Sequence, residues 1–301
     1  MTRPNHNQNN RALVLGGGGS LGNAWLIGVV AGLYEAGLDV TQSDLIIGTS
    51  AGSTATAQIT AASPSQLFSD ILTAVIPQRP SAPASDHRPV PANAVANQMD
   101  RTAAIIAAAS DLADMRRKMG AAAIEIAAAA PDSVQAQWRT TVASRLPSQS
   151  WPEQLIQIVA VDARTGESVV FDHASGVELA DAVAASCASG PAYNIGDNQY
   201  IDGGYRTNAE NADLAAGYSR VLILSPFGGR TRTPEEWGTH LVNQIDELRA
   251  HGGAVETIFP DKNSLEAFGD NMMDLSRRPL AAQAGYDQGK ALAEKLAKFW
   301  S

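Results

Sequence analysis

A chain of 301 residues with 45% hydrophobic and 18% charged side chains can bury a sizeable core, as an ordinary globular protein does. Its 22 basic and 31 acidic residues leave a net charge of −9, which disfavours nucleic acid or a strongly anionic lipid surface, where phosphates reward Lys and Arg. The single cysteine, Cys187, excludes an internal disulfide framework and suits a reducing compartment.

Residues 1–10 are polar and read as a disordered tail without the apolar core of a signal peptide. No later stretch reads as a membrane span, so the expected compartment is the cytoplasm, with export lacking a cleavable signal left open. Arg11–Leu15 is a short apolar run ending in glycines and reads as a buried strand, followed by a helix from Ser20 to Ala36 closed by Gly37. Leu45–Ile47 reads as a second strand and Ala51–Ala62 as a helix. Strand, glycine turn, helix, strand, serine turn, helix is the rhythm of an α/β fold. The expectation is a three-layer sandwich with a mainly parallel central sheet.

The middle of the chain breaks this rhythm. Residues 77–91 are proline-rich and read as an exposed loop, and Gln98–Ala130 and Val134–Arg145 read as alanine-rich helices. Residues 77–150 therefore form a helical insertion, either a lid or a plain helical layer on the sheet. Within it, Arg116, Arg117 and Lys118 precede Gly120 and suit either a helix C-terminus or transient contact with a membrane surface.

Beyond the insert, Leu155–Val161 and Ser168–Phe171 flank a turn like a hairpin. Val177–Ser186 reads as a helix, Gln199–Ile201 and Val221–Leu224 as strands. A helix from Thr233 or Pro234 to Ala250, a strand at Val255–Phe259 and a helix at Ala281–Phe299 complete the chain. Residues 11–301 are expected to form one domain.

Two glycine motifs carry chemistry. Gly48-Thr49-Ser50-Ala51-Gly52 fits the nucleophile elbow G-x-S-x-G, in which a serine sits on a sharp strand-to-helix turn and glycines relieve the crowding on either side. A helix N-cap serine is the bland alternative. The run Gly16–Gly19 ends the first strand, on the sheet edge where Ser50 should emerge, and its backbone N–H groups could meet an oxyanion. The same run through Gly22 also matches the dinucleotide fingerprint, but the second strand ends without the acidic residue that would hold a ribose.

A serine nucleophile needs a base. The histidines are His6, His87, His173, His240 and His251, and none sits in a motif that announces catalysis. His173 is the one moderate candidate. Asp202, at the end of a short apolar run and followed by Gly203 and Gly204, is a carboxylate that could act directly if partly dehydrated. Asp-Gly-Gly alone is also a common turn. Cys187, among small residues, reads as a buried hydrophobe. Asp162, Asp172, Asp197, Asp261 and Asp270 are scattered and read as turn and surface residues, so no metal or cofactor is expected.

Taken in order, the glycine loop, the elbow and Asp202–Gly204 resemble the patatin-like phospholipases, and "AVAASCASGPAYNI" and "DGGYRTNAENADLAAG" around the third motif extend the resemblance. The resemblance implies a serine acyl hydrolase with Ser50 as nucleophile, Asp202 as base, and the N–H groups of Gly17, Gly18 and Gly19 as oxyanion hole, acting on a lipid or acyl ester. Many relatives carry Arg or Lys where this chain has Leu21, which favours a neutral acyl ester over an anionic phospholipid. Three other readings compete. One is an acyltransferase that loads carrier proteins, with His173 beside the serine. Another is a non-catalytic nucleotide-binding module on Gly17–Gly22. The third is a histidine-based α/β-hydrolase using His240 or His251.

Overall fold

The computed structural model describes residues 10–74, 93–131 and 133–301. The expected proline-rich loop, the tail up to residue 9, and His6 and His87 lie outside the described residues. The chain runs β1 (Arg11–Leu15), α1 (Gly19–Glu35), β2 (Leu45–Thr49), α2 (Ala51–Ile59) and α3 (Pro64–Thr73). The insert carries α4 (Asn93–Ala107), α5 (Leu112–Ala128) and α6 (Ser133–Ala143). Then come β3 (Ile156–Asp162), β4 (Ser168–Phe171), α7 (Leu179–Ser186), β5 (Tyr193–Ile195), β6 (Asn198–Asp202) and β7 (Arg220–Leu224). The chain closes with α8 (Leu241–Ala250), β8 (Ala254–Ile258), α9 (Lys262–Phe268) and α10 (Arg278–Trp300).

The sheet has the order β5-β6-β3-β2-β1-β7-β8, with β4 paired to β3. The pairs β1–β2, β1–β7, β2–β3 and β7–β8 are parallel, and those made by β4, β5 and β6 are antiparallel. Successive strand residues face opposite ways, so both faces need apolar cover. Leu13, Leu15, Ile46, Leu222 and Leu224 pack in one cluster with α1 and α10. Ala12, Val14, Ile47, Val221 and Ile223 pack in another with Leu241, Ile245 and Leu248 of α8. These are the three layers expected of the α/β pattern.

Several expected boundaries move, each for a local reason. The long insert helix is broken, because Asp111 caps a fresh start at α5 by accepting the N–H of Asp114 at 2.8 Å. α5 then runs straight through Gly120, so Arg116–Lys118 lie mid-helix and not at a helix C-terminus. Gly120 is required by packing: a Cβ there would stand 1.9 Å from the Ala163 carbonyl oxygen. α8 starts only at Leu241, since Gly238 takes a left-handed conformation (φ 66°) after a single turn at Glu235–Trp237. α3 and α9, capped by Ser63 and Asp261, were not expected, and both are too short for periodicity to reveal.

One feature of the sheet positions the site. β4 covers one edge of β3 over Ile158–Val161, so β2 and β6 must share the other edge end to end. β2 runs parallel to β3 and finishes with Thr49 opposite Val159; β6 runs antiparallel and finishes with Asp202 opposite Ala160. Two strands thus approach head to head and stop on neighbouring residues of β3.

α1 and α10 meet through interlocked glycines. A Cβ on Gly28 or Gly32 would lie 2.1 Å from the carbonyl oxygens of Ala282 or Tyr286, and one on Gly289 would lie 2.3 Å from that of Val29. Trp25, Leu26, Val29 and Leu33 are buried in this packing, so α1 is a core helix on nearly every side.

Candidate active site

Ser50 follows β2 and caps α2 with φ 53° and ψ −117°, a conformation that L-residues avoid and that costs about 1–3 kcal/mol. The surroundings hold it there. Its N–H donates to the buried Ser186 hydroxyl at 2.9 Å, while its carbonyl accepts from the Ser53 hydroxyl at 2.6 Å and the Cys187 thiol at 3.1 Å. The flanking glycines are obligatory. A Cβ on Gly48 would come within 2.7 Å of Ser53 Cα, and one on Gly52 within 1.8 Å of the Leu15 carbonyl oxygen. This is the geometry of a nucleophile elbow and not of a plain N-cap, and the Ser50 side chain makes no capping hydrogen bond.

The glycine loop lies against the serine: a Cβ on Gly17 would stand 3.5 Å from Ser50 Cβ. Gly18 abuts Pro226 and Gly19 abuts Met273, and Gly19 takes a left-handed conformation, so side chains are excluded from both. Gly22, one turn into α1, also packs on Pro226. The N–H of Gly17, expected to be a free donor, is given to the Ala209 carbonyl at 2.8 Å. Among the described residues the N–H groups of Gly18 and Gly19 have no acceptor, and the first turn of α1 adds its partial positive charge there.

Asp202 is 8% exposed, and Gly204 donates its N–H to Oδ1 at 2.8 Å. Burial pushes its carboxyl up to about 6; the Gly204 N–H and then the Ser50 hydroxyl pull it partly back. Among the described residues no aligned hydrogen bond joins the Ser50 hydroxyl to this carboxyl; the two are brought side by side by Thr49 opposite Val159 and Asp202 opposite Ala160 on β3. Gly203 passes close over β3, where a Cβ would meet the Val159 carbonyl oxygen at 2.2 Å.

No histidine joins the pair among the described residues. His173 is exposed in a short turn, His240 Nε2 lies 3.1 Å from the Thr233 carbonyl oxygen, and His251 Nδ1 lies 2.7 Å from that of Glu247. The readings that needed a histidine beside Ser50 thus gain no partner from these three residues. The nucleotide reading gains no support either, because β2 ends at Thr49 without an acid to hold a ribose. No group of His, Cys, Asp and Glu among the described residues could hold a metal ion, and no described helix is long and apolar enough to cross a membrane.

The patatin-like phospholipase family model matches residues 13–215. The chain belongs to that family. Like other patatin-like phospholipases it is an ester-hydrolysing enzyme of the lipid acyl type. No curated protein matches the chain. Among solved structures it is similar to VipD from Legionella pneumophila, at 13% identity and a TM-score of 0.43, over 96% of this chain and 67% of that one. It is also similar to the type III effector protein ExoU, at 15% identity and a TM-score of 0.32, over 94% of this chain and 54% of that one. The chain thus spans about two thirds and about half of these two lengths.

Several residues of this patatin-like site escaped the sequence reading. Ser186 and Cys187 brace the elbow, and Asn211 ties the ends of β2 and β6 by donating to the Thr49 hydroxyl at 3.0 Å and the Gly203 carbonyl at 2.9 Å. The signal was present in "ASCASG" and "NAENADL", but nothing in composition separates a bracing serine or asparagine from a turn residue. The insert sits near the carboxylate side: Gln98 of α4 donates to the Ser189 carbonyl at 2.6 Å, and Met115 and Met119 of α5 pack on Val161 and Ile201.

Proposed function

We propose that the chain hydrolyses carboxylic esters of lipids through an acyl-enzyme on Ser50, with Asp202 as the base. The observation that carries this reading is the strained Ser50 turn lying between the glycine loop and a buried carboxyl whose pKa is pushed up to about 6. Above that pH the carboxylate is ionised yet poorly solvated, which makes it a better base than a surface aspartate.

In the first stage Asp202 takes the Ser50 proton as Oγ attacks the ester carbonyl carbon. The carbonyl oxygen becomes an oxyanion facing the N–H groups of Gly18 and Gly19. Collapse expels the alkoxide, which receives the proton from Asp202. In the second stage Asp202 deprotonates water, the hydroxide attacks the acyl carbon, and the Ser50 oxygen leaves and regains its proton. Leu21 is fully buried in the core, and the cation at the end of the glycine loop is instead Arg278 of α10, which donates to the Ser20 carbonyl at 2.7 Å. The preference for neutral acyl esters over anionic lipids rests on the net charge of −9.

Intact-mass analysis after treatment with a fluorophosphonate tests the chemistry. One adduct on the wild type, absent from Ser50→Ala and slowed at least tenfold in Asp202→Asn, is the expected result. Labelling that survives Ser50→Ala sinks the proposal. Comparison of a neutral diacylglycerol with an anionic phosphatidylglycerol, in the same mixed micelles, tests the substrate preference.

A further inference from the structure

Behind the glycine loop lies an acid that the reaction does not use. Glu210 is fully buried in the Asn208–Asn211 turn, between the Ala209 carbonyl that takes the Gly17 N–H and the Asn211 amide that ties the two strand ends. Its Cγ packs on Gly16, where a Cβ would stand 3.3 Å away. Oε1 accepts the Ser225 hydroxyl at 2.5 Å, and the Ser225 oxygen in turn accepts the Gly229 N–H at 2.8 Å. Oε2 is buried without a partner. The next residue along, Pro226, presses on Gly18 and Gly22.

Among the described residues no charged group compensates this carboxyl. Around it are Gly16 after β1, Ser225 after β7 and its own turn; only the Ser225 hydroxyl and a backbone N–H act on it. An anion at Oε2 would be both desolvated and unpaired, which is among the costlier arrangements a core can hold.

We propose that Glu210 is a positioning residue of the oxyanion loop: as the neutral acid it packs Ser225–Pro226 against Gly16–Gly19, and loss of its proton leaves an unpaired anion at Oε2 that draws in water and loosens this packing, though not the Ser225 hydrogen bond itself. Burial pushes its carboxyl up to about 7, so the loosening falls close to neutrality. The inference rests on the reading of Gly18 and Gly19 as oxyanion donors. Asp202 must lose a proton for the reaction and Glu210 must keep one, so activity is confined between the two titrations.

The test is the pH dependence of kcat and KM for a water-soluble ester in wild type, Glu210→Gln, Glu210→Ala and Ser50→Ala. Wild type should rise through about pH 6 and fall above about pH 7. Glu210→Gln, which keeps the acceptor for Ser225 but cannot ionise, should retain most of kcat at neutrality and lose the alkaline fall. Glu210→Ala should lower kcat about 10-fold or more with little change in KM. An unaltered alkaline fall in Glu210→Gln overturns the proposal, as does wild-type kcat in a folded Glu210→Ala. Infrared spectroscopy reads the proton without turnover. In an Asp202→Asn background, which removes the other raised carboxyl, a protonated-carboxyl band that vanishes above neutrality and is missing when Glu210→Gln is added supports the neutral acid even if Ser50 proves not to be the nucleophile. The same band persisting in the Asp202→Asn, Glu210→Gln double variant overturns it.

Discussion

Asn211 donates to the Thr49 hydroxyl at 3.0 Å, and the same amide nitrogen reaches the Gly203 carbonyl at 2.9 Å. One side chain thus spans the residue before Ser50 and the residue after Asp202. Asn211 is fully buried and adopts φ 55°, a conformation that Asn tolerates better than most residues.

Asn211→Ala should therefore loosen the pair without touching substrate. The variant loses these two hydrogen bonds and the two that Oδ1 accepts from Arg206 and the Thr207 hydroxyl, which with the conformational strain predicts a loss of about 2–4 kcal/mol in stability. The kcat for a soluble ester should fall more than KM rises. Denaturant titration and steady-state kinetics on the same preparation check both numbers; wild-type kcat in a folded variant would show that Asn211 does not set the geometry.

Asp202 and Glu210 both have raised pKa values, to about 6 and about 7, so the native state holds protons that the unfolded chain has released. Stability is then greatest below the unfolded values near pH 4, falls as pH rises between about 4 and 7, and levels off above. For Glu210 the shift corresponds to about 3 kcal/mol across that window. The stability of Glu210→Gln relative to wild type should therefore improve by roughly that amount from about pH 4 to about pH 8. Urea titrations at the two pH values measure it, and parallel curves for the two proteins would contradict it.

Burial pushes the Cys187 thiol up to about 11, and the thiol donates to the Ser50 carbonyl. It should react with iodoacetamide far more slowly than a free cysteine at mildly alkaline pH. Cys187→Ser should keep the brace on Ser50, whereas Cys187→Ala should lower kcat several-fold. Timed alkylation followed by mass analysis gives the first result directly, and rapid alkylation of the folded protein would refute it.

Gly52→Ala should not yield a stable protein, because its Cβ would stand 1.8 Å from the Leu15 carbonyl oxygen and both partners are backbone. The expected loss is about 3 kcal/mol or more. Gly176→Ala is a useful contrast: nothing lies within 4 Å of the added Cβ, so only the left-handed φ of 68° is penalised, and the loss should be nearer 1 kcal/mol. Equal melting temperatures for the two variants would refute the steric account.

Much of the fold was legible because buried parallel strands are short apolar runs with glycines behind them. Arg11–Leu15 and Val221–Leu224 match their strands within a residue at each end. The sharp turns that carry Ser50 and Asp202 were legible through their glycines. Their meeting was not, since it depends on β2 and β6 sharing one edge of β3, and pairing register leaves no trace in composition. Glu210 was equally invisible: in "NAENADL" an acid beside two asparagines reads as a solvated turn, and only the packing of Gly16 and Ser225 makes it a core residue. Gly17 was misjudged as a donor for a related reason, because the Ala209 carbonyl that claims its N–H lies far along the chain.

The interlocked glycines of α1 and α10 give the body of the last helix, well beyond the Arg278 that reaches Ser20, a say in the chemistry. Toothed together at Gly28, Gly32, Gly285 and Gly289, the two rods cannot slip or spread, and one of them begins at Gly19. A methyl group added at Gly285 or Gly289 would wedge the rods apart and shift the loop at the far end of α1. These positions lie beyond the stretch that defines the family, so a surveyor of variants would meet them as inactive proteins with every motif intact.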